Sequence, residues 1–86
     1  MYTVVIHKKA EKEIDKIPDV YAIKIAEAIY DLAENPRPSG CVKLIGSNNY
    51  YRIRIADYRI IYSIEDDILC IEVIKVAHRK ESYKRR

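Results

Sequence analysis

At 86 residues the chain can form one small domain that buries a single sheet face against a helix or two, and it is too short for a doubly wound cofactor-binding enzyme. The net charge of +3 is unevenly placed: residues 1–46 carry seven Lys/Arg against seven Asp/Glu, whereas residues 47–86 carry nine against six. Cys41 and Cys70 lack CxxC spacing and only His7 and His78 supply imidazole, so a zinc site, a disulfide framework and a bound cofactor are not expected.

The β-branched run Tyr2-Thr3-Val4-Val5-Ile6 predicts a short first strand. No apolar run near the N-terminus reaches the length of a signal peptide or membrane span, which points to a cytoplasmic protein. From Lys8 to Ile17, Ala10, Ile14 and Ile17 recur at helical spacing up to Pro18. A second helix starts at Pro18-Asp19, with Ala22, Ile25, Ala26, Ile29, Leu32 and Ala33 on its apolar face, and stops at Asn35-Pro36. So short a connection makes the two helices an αα-hairpin. Arg37-Pro38-Ser39-Gly40 alone has linker composition, and residues 1–86 read as one domain. Cys41 to Ile45 predicts a further strand before the turn at 46–49.

Tyr50 to Tyr62 then alternates with strand periodicity: Tyr51, Ile53 and Ile55 share one face, Arg52 and Arg54 the other. A turn at Ala56-Asp57 sets Arg54 opposite Arg59, Ile53 opposite Ile60 and Tyr51 opposite Tyr62. Like charges directly opposite cost roughly 0.2–1 kcal/mol, which a protein accepts where an anion is to be bound. Forked guanidiniums match phosphate best. After a reversal at Glu65-Asp66-Asp67, Leu69 to Ala77 is apolar on both faces, as a central strand is. A four-residue loop, Glu65 to Ile68, would pair Tyr62 with Ile71 and Ile60 with Val73, placing Glu72 on the arginine side opposite Ile61. The predicted fold is α+β: an N-terminal strand and an α-hairpin packed on one face of a small, mostly antiparallel sheet whose other face is basic.

His78-Arg79-Lys80-Glu81-Ser82-Tyr83 adds an imidazole, a guanidinium and a phenol at the strand's end. If the strand runs regularly, His78 shares a face with Arg59; a bulge near Ala77 would turn Arg79 there instead. Either set suits metal-free RNA cleavage, in which the 2′-hydroxyl attacks the neighbouring phosphate and the 5′-oxygen leaves. Arginines stabilise the phosphorane through preorganised donors but cannot readily carry protons, which leaves His78 as the conventional acid/base group and Tyr83 to orient or stack on a base. The bland reading of His78 is a capping or salt-bridged residue at a strand end.

The run from Tyr51 to Tyr62, followed by Val76-Ala77-His78-Arg79 and Tyr83, resembles the RelE branch of the RelE/ParE toxin superfamily, and the likeness extends to Asn35-Pro36-Arg37-Pro38 and Lys43-Leu44-Ile45-Gly46. The resemblance implies a type II toxin that cleaves messenger RNA in the ribosomal A site without a metal and is held inactive by a cognate antitoxin. It also implies site roles: Arg52 and Arg54 at the scissile phosphate and the 2′-hydroxyl, Arg59 as a phosphate arginine, Arg79 assisting the leaving group and Tyr83 orienting substrate. Further RNA or ribosome contacts are expected at Lys43, Lys80, Lys84, Arg85 and Arg86. Antitoxin contacts are expected at Ile23, Glu27 and Tyr30, unless the first helix covers Ile23 and Tyr30. Arg stands at both hairpin positions where the family often has Lys, and Ala56 stands where it usually has Gly. The competing readings are a ParE-like inhibitor of DNA gyrase and a non-catalytic module that only binds RNA or an antitoxin.

Overall fold

The β-branched N-terminal run forms β1 (Thr3–Ile6), and His7 leads directly into α1 (Lys8–Asp15). α1 ends two residues before the predicted Ile17, because Pro18 disfavours helical geometry in the residue before it; Lys16 and Ile17 close the end by bonding back to Glu13 and Ile14. α2 (Asp19–Asp31) buries Ile25 and Ile29 completely, with Leu32 just beyond its end. These helices cover one face of a sheet built from β1, β2 (Val42–Lys43), β3 (Tyr50–Ile55), β4 (Tyr58–Glu65) and β5 (Cys70–His78). The computed structural model describes residues 1–80.

Strand order is β1-β5-β4-β3-β2, antiparallel throughout except that β1 runs parallel to β5. The expected α+β fold is therefore present. α1 packs against β5 and α2 against β3. Tyr51 and Ile53 of β3, Ile60, Tyr62 and Ile64 of β4, and Ile71, Val73 and Val76 of β5 supply the sheet's half of the core. Each such aliphatic side chain contributes about 1.5–3 kcal/mol of burial.

The β3–β4 hairpin has the register its alternation predicts, with Arg54 opposite Arg59, Ile53 opposite Ile60 and Tyr51 opposite Tyr62. The β4–β5 register differs from the expected one. Tyr62 faces Val73 and Ile60 faces Val76, because Asp66–Ile68 forms a 3-10 turn closed by Leu69 in the left-handed conformation (φ 52°), which moves the four-residue connection from 65–68 to 66–69. A bulge follows: Ile61 pairs with Lys75 and Tyr62 with Val73, leaving Ile74 as the extra residue. Glu72 does lie on the arginine side, but opposite Ser63 rather than Ile61.

α1 also secures the free edge of β5. β1 accompanies β5 only as far as Val73, and beyond it the Val76 amide donates to the Glu13 carboxylate at 2.7 Å. Lys75 Nζ reaches the other Glu13 oxygen at 3.5 Å. A buried strand edge without a neighbour thus keeps its donor satisfied.

Candidate functional site

The face away from the helices gathers guanidiniums around the β3–β4 turn. Arg52 and Arg54 project there because they alternate with the core residues Tyr51 and Ile53, and Arg59 stands directly across from Arg54. The connecting loop is Ala56-Asp57, and Ala56 has a φ of 55°. A positive φ at the first loop residue is the position where glycine is favoured in tight hairpins, so alanine holds it with some strain. Within this loop the Ala56 carbonyl accepts from Arg54 Nε at 3.3 Å.

Arg79 reaches the same turn from β5. Its amide donates to the Asp57 carbonyl at 2.8 Å, and its Nε lies 3.4 Å from Asp57 Oδ1. The bulge at Ile74 makes this possible: it sets Ala77 across from Arg59, so that Arg79 comes to the arginine side. Arg52, Arg54, Arg59 and Arg79 are therefore brought to one hairpin end, where Asp57 pairs with Arg79. Arg52 and Arg54 have no carboxylate partner among the described residues.

The same bulge sends His78 elsewhere. It pairs with Tyr58, on the helix-side face, and its ring meets the Tyr58 ring edge-on at 5.2 Å. There it lines a groove of about 440 Å³ with Glu13, Lys16, Ile17, Tyr58 and Val76. Its Nδ1 accepts the Lys80 amide at 3.1 Å. Of the two arrangements left open, a bulged strand that brings Arg79 to the arginine side is the one present, although the bulge lies at Ile74 and not near Ala77: one extra residue in β5 inverts the facing of everything after it.

Lys43 is also displaced from its expected surface. It pairs with Tyr51 and so lies to the helix side, while Val42 is the β2 residue beside Arg52. Lys80 is exposed, one residue past Arg79. Ile23, Glu27 and Tyr30 are all exposed on α2, Ile23 by 59% and Tyr30 by 65%, so α1 does not cover them. Tyr83, Lys84, Arg85 and Arg86 lie outside the described residues.

Sequence reasoning missed the pair His7 and Glu72, whose Nε2 and Oε1 are 3.2 Å apart. Val5 pairs with Glu72, so the pair belongs to the arginine side, but it stands four β4 positions from Arg59, roughly 13 Å along the strand. The two residues are 65 apart in the chain, and no local pattern signals their meeting.

A family model described as the ParE toxin of the type II toxin-antitoxin system parDE matches residues 4–83. A relative from Methanocaldococcus jannaschii that carries the provisional name toxin RelE1 is 33% identical, the match covering 96% of each chain. The toxin RelE of Mycobacterium tuberculosis is 29% identical over 96% of this chain and 87% of its own. The chain belongs to the RelE branch of the RelE/ParE toxin superfamily. Its fold agrees with that branch: the archaeal RelE in a RelE-RelB complex from Pyrococcus horikoshii superimposes with a TM-score of 0.82 at 30% identity, covering 99% of this chain and 98% of that one. The isolated RelE toxin of E. coli gives 0.79 at 25% identity, with coverage of 99% and 98%. RelE-branch membership attaches a toxin fold to the arginine hairpin, whose chemistry follows from its own geometry.

Proposed function

We propose that this RelE-branch toxin is an endoribonuclease that cleaves messenger RNA in the ribosomal A site by attack of the 2′-hydroxyl on the adjacent phosphate. The observation that carries this reading is the convergence of Arg52, Arg54, Arg59 and Arg79 on the β3–β4 turn, with Arg54 directly opposite Arg59. Preorganised guanidiniums suit the extra negative charge of a pentacovalent phosphorane and take the part a divalent ion would otherwise fill. Tyr83 is assigned the orienting aromatic role by family resemblance.

Guanidiniums stay protonated, and the imidazoles of this chain stand away from the convergence: His78 on the other face and His7 roughly 13 Å off. Positioning must then supply much of the rate, which makes the ribosome, as the agent that presents the message, part of the reaction. The site of action is accordingly the cytoplasm; among the described residues no helix is long and apolar enough to cross a membrane.

The partner that restrains the toxin is a cognate antitoxin, by analogy with the RelB chains bound to RelE in the P. horikoshii and M. jannaschii complexes. Exposed Ile23, Glu27 and Tyr30 on α2 offer it anchors. A groove of about 270 Å³ between α2 and β3, lined by Leu32 and Ile53 with Arg54 at its side, offers a route from the helices to the arginine face. A complex in which the antitoxin touches neither α2 nor the arginine face would overturn this assignment. The test of activity is primer-extension mapping of cuts in a translating extract. Gyrase inhibition, to which the ParE description points, would instead leave messages whole and arrest supercoiling.

A further inference from the structure

We propose that His78 is a positioning residue: its Nδ1 caps the chain turn that begins at Arg79 and so holds the Arg79 guanidinium at the arginine hairpin. The inference rests on the cleavage reading above and adds to it the means by which the one arginine from outside the hairpin is placed.

Three observations converge. Arg79 and Lys80 begin a helical turn immediately after β5, and the first amides of such a turn need an acceptor that the strand cannot supply. The Lys80 amide finds it in His78 Nδ1 at 3.1 Å, the geometry of an N-cap side chain accepting from the second residue of the turn. Since the amide is the donor, Nδ1 is the bare nitrogen and the ring proton sits on Nε2. The ring is itself fixed from the side by Tyr58 at 5.2 Å, which in turn meets Tyr21 of α2 at 5.9 Å. This aromatic row runs from the helical hairpin to the cap.

Between the capped turn and the strand lies Arg79, held at its amide by the Asp57 carbonyl at 2.8 Å and at Nε by Asp57 Oδ1 at 3.4 Å. The backbone bond fixes where Arg79 starts; the cap fixes the direction in which the chain leaves. Without the cap the turn can open, and the guanidinium loses the orientation that a developing oxyanion requires. The charged and titratable groups around the ring, among the described residues, are Glu13 and Lys16 of α1, Tyr58 of β4, and the adjoining Arg79 and Lys80.

Asparagine carries an acceptor oxygen where histidine has Nδ1, whereas glutamine carries it one bond further out and alanine has none. Single-turnover cleavage of ribosome-bound message by His78→Asn should stay within about 2-fold of wild type, while His78→Ala and His78→Gln should fall about 10-fold. Hydrogen exchange at the Lys80 amide supplies a readout independent of cleavage: slow in wild type and His78→Asn, fast in His78→Ala. A His78→Asn protein as slow as His78→Ala would overturn the cap in favour of proton transfer or ring packing, and a fully active His78→Ala would overturn any positioning role. If wild-type protein left ribosome-bound message intact, the cleavage reading would fall, and the Lys80 amide would still decide whether His78 is the cap.

Discussion

At the end of the sheet where β4 turns into β5, Arg37 is fully engaged. Its Nη2 donates to Asp66 Oδ2 at 3.0 Å, Nε and Nη2 both donate to the Tyr51 hydroxyl at 3.3 Å, and its guanidinium lies over the Tyr51 ring at 5.1 Å. Asp66 also accepts from the Tyr2 hydroxyl at 2.6 Å, so one carboxylate joins β1, the α2–β2 segment and the β4–β5 turn. Hydrogen bonds from Arg37 and then Tyr2 hold the Asp66 carboxyl below its usual range, and the bond to Asp66 pushes the Tyr2 phenol above its own. Behind this cluster, burial and then the Cys41 contact push the Tyr62 phenol up, and its hydroxyl donates to the Pro36 carbonyl at 2.8 Å. At the opposite end Arg52 and Arg54 have no carboxylate partner among the described residues, and Asp57 pairs with Arg79. One end uses an arginine to close the fold; the other sets Arg54 directly opposite Arg59 and brings Arg79 to the same turn.

If that contrast is right, substitutions at the two ends should separate activity from stability. The largest effect is expected at the hairpin. Arg59→Ala and Arg79→Ala should each lower single-turnover cleavage on the order of 10²-fold, as loss of one preorganised donor to an oxyanion does, with little change in the urea midpoint. Near-wild-type toxicity of both variants would break the contrast. At the other end, Tyr62→Phe should cost about 1–2 kcal/mol by urea denaturation while leaving cleavage per folded molecule unchanged, because it removes the hydroxyl's bonds to the Pro36 carbonyl and Cys41 Sγ and nothing on the arginine face. A smaller gain is expected at the turn between the arginines. Ala56→Gly should stabilise the protein by about 0.5–1 kcal/mol, since glycine accepts the positive φ without a Cβ clash; a loss would show that the φ of 55° carries no strain.

The pH dependence sharpens the comparison further. The folded-state pKa of Asp66 is lowered, so its contribution is complete above the unfolded aspartate range and is lost as pH falls through the lowered value. Tyr2 behaves inversely: its pKa is raised, so its contribution is complete below the ordinary phenol range and is lost as pH rises through the raised value. Thermal midpoints of Asp66→Asn should therefore fall less on acidification than those of wild type. Parallel acid limbs in the two proteins would place the acid sensitivity elsewhere.

The sequence made the hairpin half of this picture legible and left the β5 half obscure. Between Tyr50 and Tyr62 polar and apolar residues alternate, so only one register buries the apolar set, and Arg54 must oppose Arg59. Cys70 to Ala77 offers no such phase: Ile71, Val73, Ile74, Val76 and Ala77 can face either way, and a bulge at Ile74 costs no visible break in hydrophobicity. The shifted β4–β5 connection sets Glu72 opposite Ser63 instead of Ile61, and the bulge decides between the two arrangements left open for His78 and Arg79, while the capping reading of His78 agrees with the observed Lys80 bond. Lys43 failed for a related reason, since a two-residue edge strand carries too little pattern to fix its facing. Ile23 and Tyr30 were legible as off-stripe residues of α2, but their exposure depended on where α1 packs, which periodicity does not encode.

The central claim is that the hairpin arginines cleave message presented by the ribosome. The most direct measurement compares cleavage of one radiolabelled message, free and bound in the A site of purified ribosomes, by wild-type protein and by the Arg59→Ala, Arg79→Ala double variant. The account predicts cuts only in the ribosome-bound message, placed within the A-site codon, and none above background from the double variant although it remains folded. Equal cutting of free and bound message, or unchanged cutting by the double variant, would contradict it.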